Sequence, residues 1–225
     1  MLSSISPISA FAYIAALWTG SSIFYYLFLP AAGVNLSYNS SPLLITAFYL
    51  GWSAIAIFVF ARILLRHSSR KHAFSIDLML SAVFAAVASL YLLFFSYSVT
   101  PDVAAIAPAT DLLLATPWYF LPKSADILFQ QILIAAFVYS LAEAMPLKAV
   151  SLWYAIAFGG AHLLLFFGGS FPPAVFIMTL SAVVSAAFFP YLLMKVRYGF
   201  FYCYAIHWTY YALLAALLRI GSSAA

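Results

Sequence analysis

Apolar residues in this chain come in long unbroken blocks, separated by short stretches where Pro, Gly, Ser and charged residues collect. The blocks lack the polar stripe that a water-facing amphipathic helix would show. A helix needs about 20 apolar residues to cross the hydrocarbon of a bilayer. Blocks of that length lie at 8–29, 43–65, 76–98, 124–144, 148–167, 173–194 and 199–219. The pattern predicts an all-α polytopic membrane bundle with about seven transmembrane helices. Stop signals fit these bounds: Pro30 and Gly33 follow the first block, Ser41-Pro42 precede the second, and Pro172-Pro173 precede the sixth. Residues 99–123 differ. Pro101, Asp102, Pro108, Asp111, Pro117 and Pro122 break up a short apolar core at Leu112-Leu113-Leu114. That piece is too short to span and is expected to be interfacial or re-entrant, with Trp118 and Tyr119 at headgroup level. The chain thus divides into an N-terminal three-helix membrane region (1–98), a loop (99–123) and a four-helix membrane core (124–219).

Composition strengthens the membrane reading. Of 225 residues 67% are hydrophobic and 6% charged, against about 25% charged in a soluble domain. The one cysteine, Cys203, excludes disulfide frameworks and cysteine metal sites. The first block lacks a basic n-region and a small-x-small cleavage site, so it is expected to be a retained span. The formal charge of +4 reads as topology, with no nucleic-acid partner implied. If the loop 62–72 is cytoplasmic, alternation puts Arg62, Arg66, Arg70, Lys71, Lys148, Lys195 and Arg197 inside and Lys123 and Arg219 outside. The positive-inside rule then gives an integral, multi-pass protein with a cytoplasmic N-terminus.

Candidate chemistry gathers in the second half. The first three spans hold Asp77 alone as a potential buried charge, while the last four hold Asp126, Gln130, Gln131, Glu143, His162 and His207. An ionisable side chain in hydrocarbon is costly and marks a functional site by default. Phe158 and His162 lie four apart and share a helix face, as do His207 and Tyr211. Gly159, Gly160 and Ala161 are small enough to let the fifth helix approach a neighbour. Asp126 precedes Gln130 by one turn, near the outer end of its span where water would keep it ionised. Glu143 is expected to pair with Lys148 or to meet headgroups. His67 and His72 sit among Arg66, Arg70 and Lys71 and read as a solvated loop touching anionic lipid. The structural alternative for each buried histidine is a local hydrogen-bond network, His207 with a tyrosine.

The stretch Phe158-Gly159-Gly160-Ala161-His162 matches the FxxxH motif of the CAAX prenyl protease and bacteriocin-processing (CPBP) family, a group of intramembrane proteases. Residues 191–207, a basic turn leading into the helix of His207, resemble that family's last block, in which Asn or Asp follows the histidine by four. The family's first motif, a Glu pair with Arg four residues on, should stand one helix before FxxxH, where this chain has Gln130-Gln131 and Ala135. The resemblance covers about residues 124–219 and implies a CPBP-like core in which a glutamate activates water while the histidines and asparagine orient it. It places Gln130, Gln131, His162, His207 and Tyr211 at the catalytic positions. The departures matter as much. Both glutamates are glutamines, the arginine is Ala135 and the Asn/Asp is Tyr211. A neutral amide takes no proton as a general base, and loss of that base alone costs about 10²–10⁴-fold.

Three function classes follow. The leading one is a non-catalytic CPBP-like membrane protein that binds or scaffolds a transmembrane or lipid-modified partner, as a subunit of a larger membrane complex. The second is an active endopeptidase in which His162 and His207 hold the water or oxyanion and Asp126 or an amide-bound water replaces the base. The third is a haem- or chlorophyll-binding subunit using His162 and His207, since neutral imidazole ligates both metals. Two histidines fall short of the four ligands of structural zinc. A rhodopsin-like reading fails because the last span carries no lysine for a Schiff base.

Overall fold

A computed structural model describes residues 7–34, 36–68, 74–95, 117–163 and 172–223. Among the described residues every regular element is helical. We number them α1 (Pro7–Ala31), α2 (Pro42–Ser68), α3 (Phe74–Phe95), α4 (Phe120–Ala142), α5 (147–163), α6 (Pro172–Ser185), α7 (Phe189–Lys195) and α8 (Gly199–Ser223). Prolines stand where a helix can start: Pro42 and Pro172 open α2 and α6, and Pro190 lies in the first turn of α7, each where its missing N–H would have no partner anyway. Helix α1 runs just past Pro30 and stops at Gly33, whose φ of 75° turns the chain away. There the Val34 N–H donates to the Leu29 carbonyl at 2.9 Å, closing the helix end.

Five helical stretches among the described residues are long and apolar enough to cross a membrane: α1, α2, α3, α4 and the joined α6–α7. The expected fifth span is helical over 147–163, and its expected remainder lies outside the described residues. The expected seventh, α8, has the length, 25 residues, but Tyr204, His207, Tyr210 and Tyr211 reduce its apolarity. Of the expected loop at 99–123, residues 99–116 lie outside the described residues; Pro117–Tyr119 is a 3₁₀ turn leading into α4.

Helix α4 is the hub. In its membrane-crossing window 83% of residues are buried, against 11–22% in the other four candidates, which keep most of their surface for lipid. Helix α2 lies along it in the same direction. Tyr38, just before α2, bonds Asp126 at one end, and Arg66 bonds Glu143 at the other. Two parallel neighbours need an odd number of crossings between them, and α3 supplies one. Helix α8 runs antiparallel to α4 on another side, tied by the Trp208 indole to Ser124 Oγ (2.9 Å) and by the Tyr204 hydroxyl to the Ser124 carbonyl (3.1 Å). Helix α3 packs on α8 through Phe74 on Phe200 and Phe84 on Trp208. Helices α1 and α5 meet α4 at Phe137, whose ring touches Phe11 and Phe158. One core therefore takes Phe60, Leu64 and Phe74 from the first half and Ile132, Leu133 and Phe200 from the second.

This arrangement puts Arg66, Glu143, Lys148, Lys195 and Arg197 at one end of the bundle and Lys123 at the other. It also corrects several expectations. Glu143 pairs with Arg66, at 2.9 Å, because parallel α2 ends beside α4. His67 stacks on Tyr139 with ring centroids 4.7 Å apart, so it is not a purely solvated loop residue. Tyr119 is 4% exposed, packed against Tyr38 and Phe120, while Trp118 stays exposed.

Candidate functional site

The residues singled out from the sequence converge in part. A cavity of about 320 Å³ lies between α4, α5, α6 and α8, and its wall includes Gln130, His162, His207 and Tyr211. Its remaining lining is mostly apolar, with Phe158, Phe189 and Ile206 among it.

Each polar group is held by its own element. Helix α5 carries a π-helical turn at Ala155–Gly159, which sets the register of the turn that follows. Gly159 lets α6 come close, because a Cβ there would stand 2.8 Å from a Val183 methyl. His162 Nδ1 lies 2.6 Å from the Phe158 carbonyl oxygen. A carbonyl only accepts, so Nδ1 carries the proton and Nε2 keeps a lone pair. On α8, the His207 ring lies over Tyr211 with centroids 5.5 Å apart, and its Nδ1 is buried without a hydrogen-bond partner. Tyr154 and Ser185 share a hydrogen bond at 3.0 Å on the far wall, and Ser185 donates on to the Ala182 carbonyl.

Behind Gln130 lies a charged network. The Gln130 amide donates to Asp126 Oδ1 at 2.8 Å, and Lys123 Nζ and the Tyr38 hydroxyl both donate to Asp126 Oδ2, at 2.7 and 3.1 Å. The side chains of Lys123 and Asp126 are 9% and 8% exposed, so Asp126 is not at a water-facing span end as its position implied; its ionic partner is Lys123. Lys123 also sits 3.8 Å above the ring of Tyr211, a desolvated cation–π contact. Burial, and next the Asp126 carboxylate, push the Tyr38 phenol well above its ordinary value, so it stays protonated and donating.

Gln131 does not reach the cavity. It is fully buried, with neither amide atom hydrogen-bonded. Sequence reasoning missed Lys123, Tyr38 and Ser124 as site-forming groups. Lys123, Asp126 and Gln130 lie at i, i+3 and i+7 on one helix face, a spacing that was there to be read. Among the described residues no group of three or more His, Cys, Asp or Glu is placed to hold a metal ion.

Chemically, the site offers hydrogen-bonding imidazoles and an amide facing an apolar space, with the nearby Asp126 carboxylate already accepting from three donors. No protein-family model, no curated protein and no solved structure matches this chain.

Proposed function

We propose that this chain is a non-hydrolytic CPBP-like membrane protein that retains the family's cavity and holds a membrane partner, as a fixed subunit of a larger assembly. In this reading it crosses the bilayer seven times, with the N-terminus cytoplasmic. The basic residues gathered at the Arg66–Glu143 end support that orientation.

One observation carries the proposal. At the position where the family has its water-activating glutamate, Gln130 donates a hydrogen bond to Asp126. Asp126 in turn accepts from Lys123, Gln130 and Tyr38, which engage three of its roughly four lone-pair sites. A general base must reach the proton it abstracts with a free lone pair. The network works against the form of the peptidase alternative that uses Asp126 in that role.

The test is a peptidase assay in lipid vesicles, with quenched peptides bearing a C-terminal lipidated cysteine motif and with transmembrane peptides. We expect no turnover above the level of His162→Ala. Cleavage by the native chain that His162→Ala or His207→Ala abolishes would overturn the proposal.

A further inference from the structure

Beside the histidine cavity runs a larger apolar groove of about 730 Å³, a furrow between α1 and α5 floored by Phe137 of α4. Cavity and groove adjoin at Trp18 and Phe158, which line both and whose rings lie 5.6 Å apart. We infer that the two together bind a single-chain membrane amphiphile with a small, uncharged, hydroxylated head, the head at His162 and His207 and the chain along the furrow.

The polar end sets the head's chemistry. Both imidazoles line the cavity; His207 Nδ1 itself is closed off from it. A hydroxyl can donate to the lone pair that His162 keeps once its Nδ1 is bonded to Phe158, with the His207 ring beside it in the same wall. A charged head finds no counter-ion, because Lys123 and Asp126 neutralise each other behind Gln130.

The furrow sets the tail's chemistry. Its lining runs from Phe11 to Tyr26 on α1, roughly 22 Å at 1.5 Å per residue, long enough for an extended acyl chain. Its floor opens at Gly160, where an added Cβ would meet nothing within 4 Å. About 730 Å³ spread over that length suits one acyl chain better than a helix about 10 Å across. The inference rests on the non-hydrolytic reading only in that the amphiphile is held and not cleaved.

The experiment uses the full chain in phosphatidylcholine nanodiscs with a monoacylglycerol carrying a diazirine in its chain. Photolabel should map to α1 and α5. Unlabelled monoacylglycerol should compete for it; free fatty acid and phosphatidylcholine should not. Gly160→Trp, which puts an indole into the furrow from a position where a Cβ meets nothing within 4 Å, and His207→Phe, which removes a polar ring from the cavity wall, should each reduce competable labelling at least about tenfold, the order of one lost buried hydrogen bond. Leu213→Trp, on an exposed face of α8, should leave it unchanged. Should His207→Phe not fold, Gly160→Trp decides alone. Label spread over all lipid-facing helices, labelling unmoved by Gly160→Trp, equal competition by fatty acid, or a partner helix that excludes the probe would each overturn the inference. Recovery of the bound probe as fatty acid and glycerol would leave the site standing and overturn the non-hydrolytic reading instead.

Discussion

Replacing Lys123 with methionine isolates the buried charge network. The change keeps a flexible apolar stem and removes the ammonium that neutralises Asp126 at 2.7 Å. With both side chains under one-tenth exposed, breaking the pair from one side strands a buried carboxylate, which costs about 3–5 kcal/mol. Tyr38 and Gln130 still donate to that carboxylate, which keeps the charge term toward the lower end. Loss of the contact over the Tyr211 ring adds up to about 2 kcal/mol when desolvated. At roughly 2–4 °C per kcal/mol for a chain of this size, Lys123→Met should lower the unfolding midpoint by about 6–20 °C. The companion Lys123→Met/Asp126→Leu leaves two donors unpaired but no charge, and should lose far less than the sum of the two single variants. The assay is intrinsic-tryptophan thermal unfolding in mild detergent, since Trp208 bonds the Ser124 hydroxyl beside the pair. The cycle should show a coupling of about 3 kcal/mol or more. Single variants that each lose under about 1 kcal/mol and simply add in the double would refute the buried pair.

Arg66→Ala should cost no more than about 1 kcal/mol through its ion pair with Glu143, because the Arg66 side chain is 58% exposed and such pairs contribute little; the same unfolding assay reads it. Gln131→Leu should stabilise the fold by about 1–3 kcal/mol, since it removes a fully buried amide with no partner at either end. A loss of stability there would mean that the amide is satisfied. Gly199→Ala should prevent folding to a monodisperse species, because a Cβ would run into the Leu192 carbonyl, whereas Gly160→Ala should be nearly silent. Size-exclusion profiles of the two variants separate these outcomes. The native Cys203 is buried, so a Ser40→Cys variant should react with a membrane-impermeant maleimide from outside and Lys148→Cys from the cytoplasmic side; the reverse pattern would overturn the orientation.

The histidines were legible because an ionisable ring in an apolar run has few structural excuses, and both do line one cavity with Gln130. What could not be read was contact between distant segments. Tyr38 meets Asp126 across 88 residues, and nothing local to either residue signals the meeting. Glu143 had Lys148 five residues away, yet the partner is Arg66, because α2 and α4 run side by side in the same direction. Lys123 was misread for a different reason. The prolines before it mark a loop, but Pro122 is tolerated in the first turn of a helix, so α4 begins at Phe120 and takes Lys123 inside. The hub position of α4 was likewise invisible, since its apolar content resembles that of the lipid-facing helices.

These contacts also bear on what reversal would take. Placing at residue 130 the glutamate that the resemblance would call for, by Gln130→Glu, would replace a donor 2.8 Å from Asp126 Oδ1 with a second carboxylate. Lys123 is the one cation among the described groups bonded to Asp126, and it is engaged by Oδ2. Two carboxylates at that distance cannot both stay ionised, so the new group would share a proton with Asp126 and not serve the cavity as a free base. Hydrolysis should therefore not return with Gln130→Glu alone, and it would need Asp126→Asn alongside to free the glutamate. If Gln130→Glu by itself cleaves a peptide at a rate that His162→Ala removes, then Asp126 does not hold residue 130 in the way the geometry implies, and the non-hydrolytic state is a single substitution deep.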